Sequence, residues 1–254
     1  MTLTRPIMWI CIAASIALSQ PAAKFEVAAI KPASSAELDA IKRSGRSSLF
    51  PEQGISISGN RVTVLGLTTE TLIRAAYNLR AYQFSGGAGW TSTEAYDIAA
   101  KAETGTALSF AQVRLMLQTL LADRFRLEFH RETKEGPGYA LGVGKSGSRL
   151  KTSAAPEYST HVTAGKSQVQ MTLSKASIDQ LCGRLSTFVS RPVVDQTGLT
   201  GVFDLKLSFT PDDGESESPS IFTALQEQLG LKLESTKTPI DVLIIDRIAR
   251  PSAN

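Results

Sequence analysis

Two stretches of the chain share one hydrophobic rhythm. In LTTETLIRAAYNL (67–79) and LSKASIDQLCGRL (173–185), small or apolar residues recur at i, i+3, i+4 and i+7, one face of an α-helix. Leu67, Thr68, Leu72, Ala75, Ala76 and Leu79 fall opposite Leu173, Ser174, Ile178, Leu181, Cys182 and Leu185. Thr68 and Ser174 are the hydroxyl residues expected to cap the two helices. Cys182 shares the apolar face, which predicts a buried thiol.

The match continues along the chain. AYDIAAKA (95–102) stands opposite VFDLKLSF (202–209), each an aromatic, an Asp and then alternating strand residues. Leu117-Gln118-x-x-Leu121 pairs with Leu225-Gln226-x-x-Leu229, with two extra residues at the helix end of the first copy. Phe125-Arg126-Leu127-Glu128 and Leu231-Lys232-Leu233-Glu234 follow. GYALGVG (138–144) and DVLIID (241–246) close the halves as apolar strands.

Each half therefore reads β-α-β-β-α-β-β. The fold class expected is α+β: two tandem duplicated modules, mixed sheets with helices packed on one face. The division is 1–19, 20–148 and 149–254, with FEVAAI (25–30) as an added N-terminal strand. Segments 31–53 and 145–165 read as loops, and the acidic PDDGESESPS (211–220) as a mobile segment.

Residues 1–19 change the compartment. Arg5 precedes an apolar run over 7–18, and Ala17-Leu18-Ser19 has the small–x–small pattern of a cleaved signal, which predicts export with cleavage before Gln20. Twelve apolar residues are too short for a membrane span of about 20. Cys11 lacks the small residues before it that lipidation expects. The formal charge of +3 falls to +2 once Arg5 is removed, giving no electrostatic reason to expect nucleic acid or anionic lipid. Cys182 is then the only cysteine left, so packing and not a disulfide must hold the fold.

Candidate chemistry thins out under inspection. RPVVDQTGLTG (191–201) places Asp195 before Thr-Gly, as in an aspartic protease, but the first half has SGGAGWTSTE (85–94) there and no matching carboxylate. Asp195 is expected to serve a turn. GVGKSG (142–147) lacks the first glycine of a phosphate loop, since Tyr139 stands in its place. His130 is read as pointing outward from FRLEFHRE and His161 as lying in a polar link, neither at metal-ligand spacing. Glu70, Glu94 and Asp97 could form a glycosidase pair, but Glu70 suits the first turn of a helix and Asp97 has a counterpart in Asp204, which points to structural roles. No catalytic, metal or cofactor-binding residue is assigned, and no cofactor is expected. The remaining surface candidates are aromatic: Tyr82, Phe84 and Trp90 in AYQFSGGAGW, as contacts for a ligand or partner or as a lid on the core.

FEVAAIKP, LLADRFRLEFHRETKEGPGYAL, RPVVDQTGLTG and FTALQEQLGLKLESTKTPIDVLIID resemble the signature blocks of a soil-associated family of exported bacterial proteins of unknown function. That family has abundant paralogues, and a related domain is fused to membrane metallopeptidases of the antibiotic-sensing type. The resemblance implies an extracytoplasmic sensory or envelope-associated role, periplasmic or extracellular. The halves are also remotely similar to secretin and TonB-receptor short N-terminal domains. The function expected is a non-enzymatic binding or interaction module for an unknown protein or an envelope or extracellular ligand. The alternative is an extracytoplasmic hydrolase of peptides or polymers with a site between the modules.

Overall fold

The computed structural model describes residues 23–34, 54–103, 106–164, 168–210 and 219–251. The signal-peptide reading of 1–19 and the acidic stretch 211–218 lie outside the described residues, as do 35–53.

In chain order the first part holds β1 (Phe25–Pro32), β2 (Ile55–Ser58) and β3 (Arg61–Thr68), then α1 (Thr69–Tyr77) and β4 (Phe84–Gly86). After them come α2 (Trp90–Thr93), β5 (Ala95–Ala102), α3 (Phe110–Phe125) and β6 (Glu128–Val143). The second part holds β7 (Lys151–Thr152), β8 (Ser159–Ala164), β9 (Val169–Ala176), α4 (Ile178–Phe188), β10 (Val193–Asp195) and β11 (Phe203–Phe209). Helix α5 (Ile221–Ala224) runs on as a π turn (Leu225–Leu229) into β12 (Leu231–Arg247). The mixture of helices with antiparallel and mixed sheets is an α+β fold.

Local chemistry fixes the helix ends. Thr68 Oγ1 accepts the Thr71 N–H at 3.2 Å, satisfying one of the orphan donors at the start of α1. Ser109–Gln112 and Ser177–Gln180 form reciprocal capping boxes for α3 and α4. Asn78, Arg126 and Gly230 take left-handed conformations that stop α1, α3 and the π turn.

Three four-stranded sheets result, ordered β1-β5-β3-β2, β7-β11-β9-β8 and β10-β6-β12-β4. The two outer sheets carry the same kind of irregularity. Gly66 and Lys175 sit at φ 59° and 51°. Their N–H groups donate to Asp97 Oδ1 at 2.7 Å and Asp204 Oδ1 at 3.0 Å. Each Asp thus satisfies a backbone donor beside a register shift between β3 and β5, or β9 and β11.

The central sheet joins the two parts. Strands β6 and β12 pair antiparallel from Val143–Leu231 to Glu128–Arg247. Short β4 adds in parallel to β12 at Leu243–Ile245, and short β10 adds in parallel to β6 at Tyr139–Leu141. Leu243 and Ile245 therefore close the core of α1, α3 and the first outer sheet. Leu141 and Leu231 belong to the core of α4, α5 and the second outer sheet.

Four expectations are corrected. The cap of α4 is Ser177, and Ser174 lies inside β9. Both are hydroxyl residues on the approach to the helix, and only Ser177 has Gln180 in the reciprocal position. The strands expected at 125–128 and 138–144 are one strand, β6, entered after α3 has ended at Phe125; the two expected around 231–234 and 241–246 are likewise one strand, β12. Pro137 and Pro239 lie in the middle of this pair, which has a partner on one side only, so a proline there need not donate to a ladder. The link 145–165 contains β7 and β8, which add to the second outer sheet. Finally, the π turn ends directly at Leu229, whereas α3 continues a full turn past Leu121 to Phe125 before its left-handed residue. The difference between the two helices is larger than two residues.

Two left-handed glycines separate backbone strain from close approach. At Gly198 (φ 67°) an added Cβ meets nothing within 4 Å, so Gly198→Ala should cost about 1–2 kcal/mol, the ordinary left-handed penalty. At Gly230 (φ 67°) the same Cβ would overlap the Gly147 carbonyl oxygen. Gly230→Ala should lose clearly more in urea unfolding, and equal losses at the two positions would contradict the packing described.

Candidate functional site

Helices α1 and α4 face each other across a cavity of about 310 Å³. One wall is the C-terminal half of α1 with the turn that follows it, the other is α4, and Arg114 of α3 and Tyr158 complete the lining. Four arginines contribute: Arg74, Arg80, Arg114 and Arg184. No Asp or Glu is among the lining residues.

Each arginine has its own anchor. Arg74 is buried on α1, with Glu70 one turn earlier at 3.8 Å. Burial depresses its pKa, Glu70 opposes that, and the neighbouring Arg80 adds to it. Arg80 crosses the cavity, donating from Nη2 to the Gly183 carbonyl of α4 at 3.2 Å. The guanidinium of Arg114 lies 5.0 Å from the centre of the Phe110 ring, and its buried Nε meets no hydrogen-bond acceptor among the described residues. Arg184 has no ion-pair partner among the described residues.

Hydroxyls fill the base. Tyr82 hydrogen-bonds Ser186, and its pKa is raised, foremost by burial. Ser186 is itself buried, donating to the Cys182 carbonyl at 2.8 Å and accepting the Val193 N–H at 2.9 Å. The wall of the cavity is thereby tied to β10 and the central sheet.

Of the aromatic residues singled out in the sequence, Tyr82 lines this cavity, while Phe84 and Trp90 do not. Phe84 packs on the first core from β4. Trp90 packs on the same core, and the Arg250 guanidinium lies 5.1 Å from the centre of its ring. Arg250 forks onto Glu94 at 2.6 and 2.9 Å, and Tyr96 donates to the same carboxylate at 3.2 Å. The Arg250 contact holds Glu94 below the usual carboxylate range, with help from Tyr96. Glu70, Glu94 and Asp97 thus serve three different partners.

Asp195 sits in a turn. Its Oδ1 accepts the Thr197 N–H at 2.7 Å and the Thr197 hydroxyl at 2.8 Å, and Thr197 Oγ1 accepts the Leu199 N–H at 3.1 Å. It pairs with Leu141, at the far end of β6 from His130. His130 is exposed on β6, between Asp246 at 2.7 Å and Glu132 at 3.2 Å. His161 lies exposed on β8, beside Thr163. Among the described residues, no three His, Cys, Asp or Glu side chains cluster to hold a metal ion, and no helix is long and apolar enough to cross a membrane.

Sequence reasoning missed the arginines for an identifiable reason. Arg74 and Arg184 flank the apolar faces of their helices, where a charge usually reads as solvated. Only the meeting of α1 with α4 encloses them. The one sequence signal was an arginine next to the apolar stripe of both helices.

Two titrations test the surroundings. Burial, then Asp195 and Asp179, push the Cys182 thiol up to about 12, so the native protein should resist a thiol reagent at pH 8 that labels the unfolded chain rapidly. Asp246 and then Glu132 raise the His130 pKa, so its NMR titration midpoint should lie above the ordinary value of about 6.5. The sign follows: its contribution to stability is complete below about 6.5 and is lost as pH rises through the raised midpoint. His130→Gln should abolish that component of the pH profile, and an unchanged profile would refute the assignment.

No curated protein and no solved structure matches the chain. The profile of one family matches residues 70–248, which takes in every residue lining the cavity. With that match running through both halves, the chain belongs to the family described as protein of unknown function DUF3738.

Proposed function

We propose that this protein is an exported, non-enzymatic binding module that holds a small ligand between α1 and α4. The observation that carries the reading is the cavity, a polar recess with walls from both halves of the chain and a volume at the low end of ligand sites. Its hydroxyls have no His, Asp or Glu beside them among the lining residues to act as a general base, so the recess is built to hold a ligand and not to activate a nucleophile. Tyr82 is the aromatic contact in this reading, with Phe84 and Trp90 supporting the fold around it. Export follows from the signal features of residues 1–19.

The same reading treats 20–148 and 149–254 as two copies of one unit that have exchanged strands. Its support is the matched outer sheets, the Asp97 and Asp204 bulges, and the reciprocal placing of β4 and β10 on the other half's long strand. A recess between equivalent helices of two copies is where such an arrangement would place a shared ligand.

Gly183 offers a clean test. It lines the cavity on α4, and an added Cβ meets nothing within 4 Å, so Gly183→Phe puts bulk at the wall without a clash. Thermal unfolding of the chain from Gln20 should be measured against a panel of small anionic, neutral and cationic compounds. At least one compound should raise the Tm of the unsubstituted protein and lose that effect in Gly183→Phe. A panel with no cavity-dependent stabilisation would overturn the reading.

A further inference from the structure

We infer that the cavity takes a compact oxyanion with two or more negative charges, the chemistry shared by phosphate groups and by di- and tricarboxylates. This rests on the cavity-binding reading above and narrows it to a ligand class.

The argument is one of unspent donors. Arg74 is engaged by Glu70, and Arg80 is spent on the Gly183 carbonyl in the middle of α4. Arg114 and Arg184 have no carboxylate partner among the described residues, yet both line the recess. The Arg114 Nε is a buried donor without an acceptor among the described residues, and a protein donor in that position costs free energy unless something supplies the oxygen. Two uncompensated guanidinium groups call for two negative charges. A guanidinium presents parallel N–H donors that fit the paired oxygens of a carboxylate or phosphate. The Ser190 hydroxyl, also in the lining, then supplies a neutral hydrogen bond beside the charged centre. A recess of about 310 Å³ suits a compact ion and not a polymer.

Citrate and inorganic phosphate are the probes, with sodium chloride at matched ionic strength as control, read by thermal shift and calorimetry on the chain from Gln20. One or both anions should bind with a 1:1 stoichiometry and stabilise the protein beyond the salt control. Which of them binds distinguishes a carboxylate source from a phosphate source. Arg184→Gln removes a side chain with no ion pair among the described residues, so it should leave the Tm without ligand near that of the unsubstituted protein and weaken binding about tenfold or more. Arg114→Gln should weaken it comparably. Stabilisation that equals the salt control, or that survives both substitutions, overturns the inference. If instead the panel yields a neutral or cationic compound blocked by Gly183→Phe, the anion inference falls while the binding-module reading stands. If an anion binds but ignores Gly183→Phe and both arginine variants, its site is elsewhere and both fall.

Discussion

The structure depends on the pairing of two long strands, β6 and β12, along their whole length. Each runs from one core to the other. Phe129 of β6 packs on the first core, which Leu243 and Ile245 of β12 enter, and Leu141 of β6 and Leu231 of β12 enter the second. Between these ends β6 is largely exposed while β12 buries Thr238, Ile240 and Val242, and exposed side chains of the two strands are tied by ion pairs such as Arg131–Asp241 at 2.7 Å. Such exposed pairs are worth little individually. The ladder of backbone hydrogen bonds and the buried leucines at both ends set the geometry.

That geometry places the helices. Because β4 and β10 add to opposite edges of the β6–β12 pair, the elements leading into them are drawn toward each other across the centre. Helix α1 precedes β4 and helix α4 precedes β10, and the cavity lies between them. Arg80 donating to Gly183 is a direct bond across this seam. Neither half holds the four arginines together on its own.

Much of the fold was legible in the sequence, and the parts that were not share one cause. The apolar stripes of α1 and α4 and the alternation in β5 and β11 marked those elements, and Cys182 lies buried with Leu181 and Leu185, as its helix face requires. What the stripe could not fix was register. A slip of three or four residues along a helix leaves the same face apolar, so Ser174 and Ser177 were interchangeable as caps until Gln180 and the backbone settled it. The same ambiguity hid the extra turn of α3, whose end is marked by the left-handed Arg126 and not by any hydrophobic residue. The continuity of β6 and β12 through Pro137 and Pro239 was equally hard to read, because a proline interrupts a ladder only where a neighbouring strand needs a donor at that position. The cavity was invisible for a further reason: it is a property of two helices far apart in sequence.

The exchanged short strands also bear on when the protein can become itself. Phe84 of β4 finds its partner at Leu243, in the second half of the fold, and the first core lacks Leu243 and Ile245 until β12 has been made. A ribosome that has produced everything up to Val143 has made most of the first half but none of the strand that closes it. Contacts of such long sequence separation form late and slowly, since the loop entropy comes before any gain from packing. The first core therefore stays open until β12 has been made. The order of the strands in the sheet thus sets the order of events in time: β12, made after every other strand described, is what allows the first core to settle.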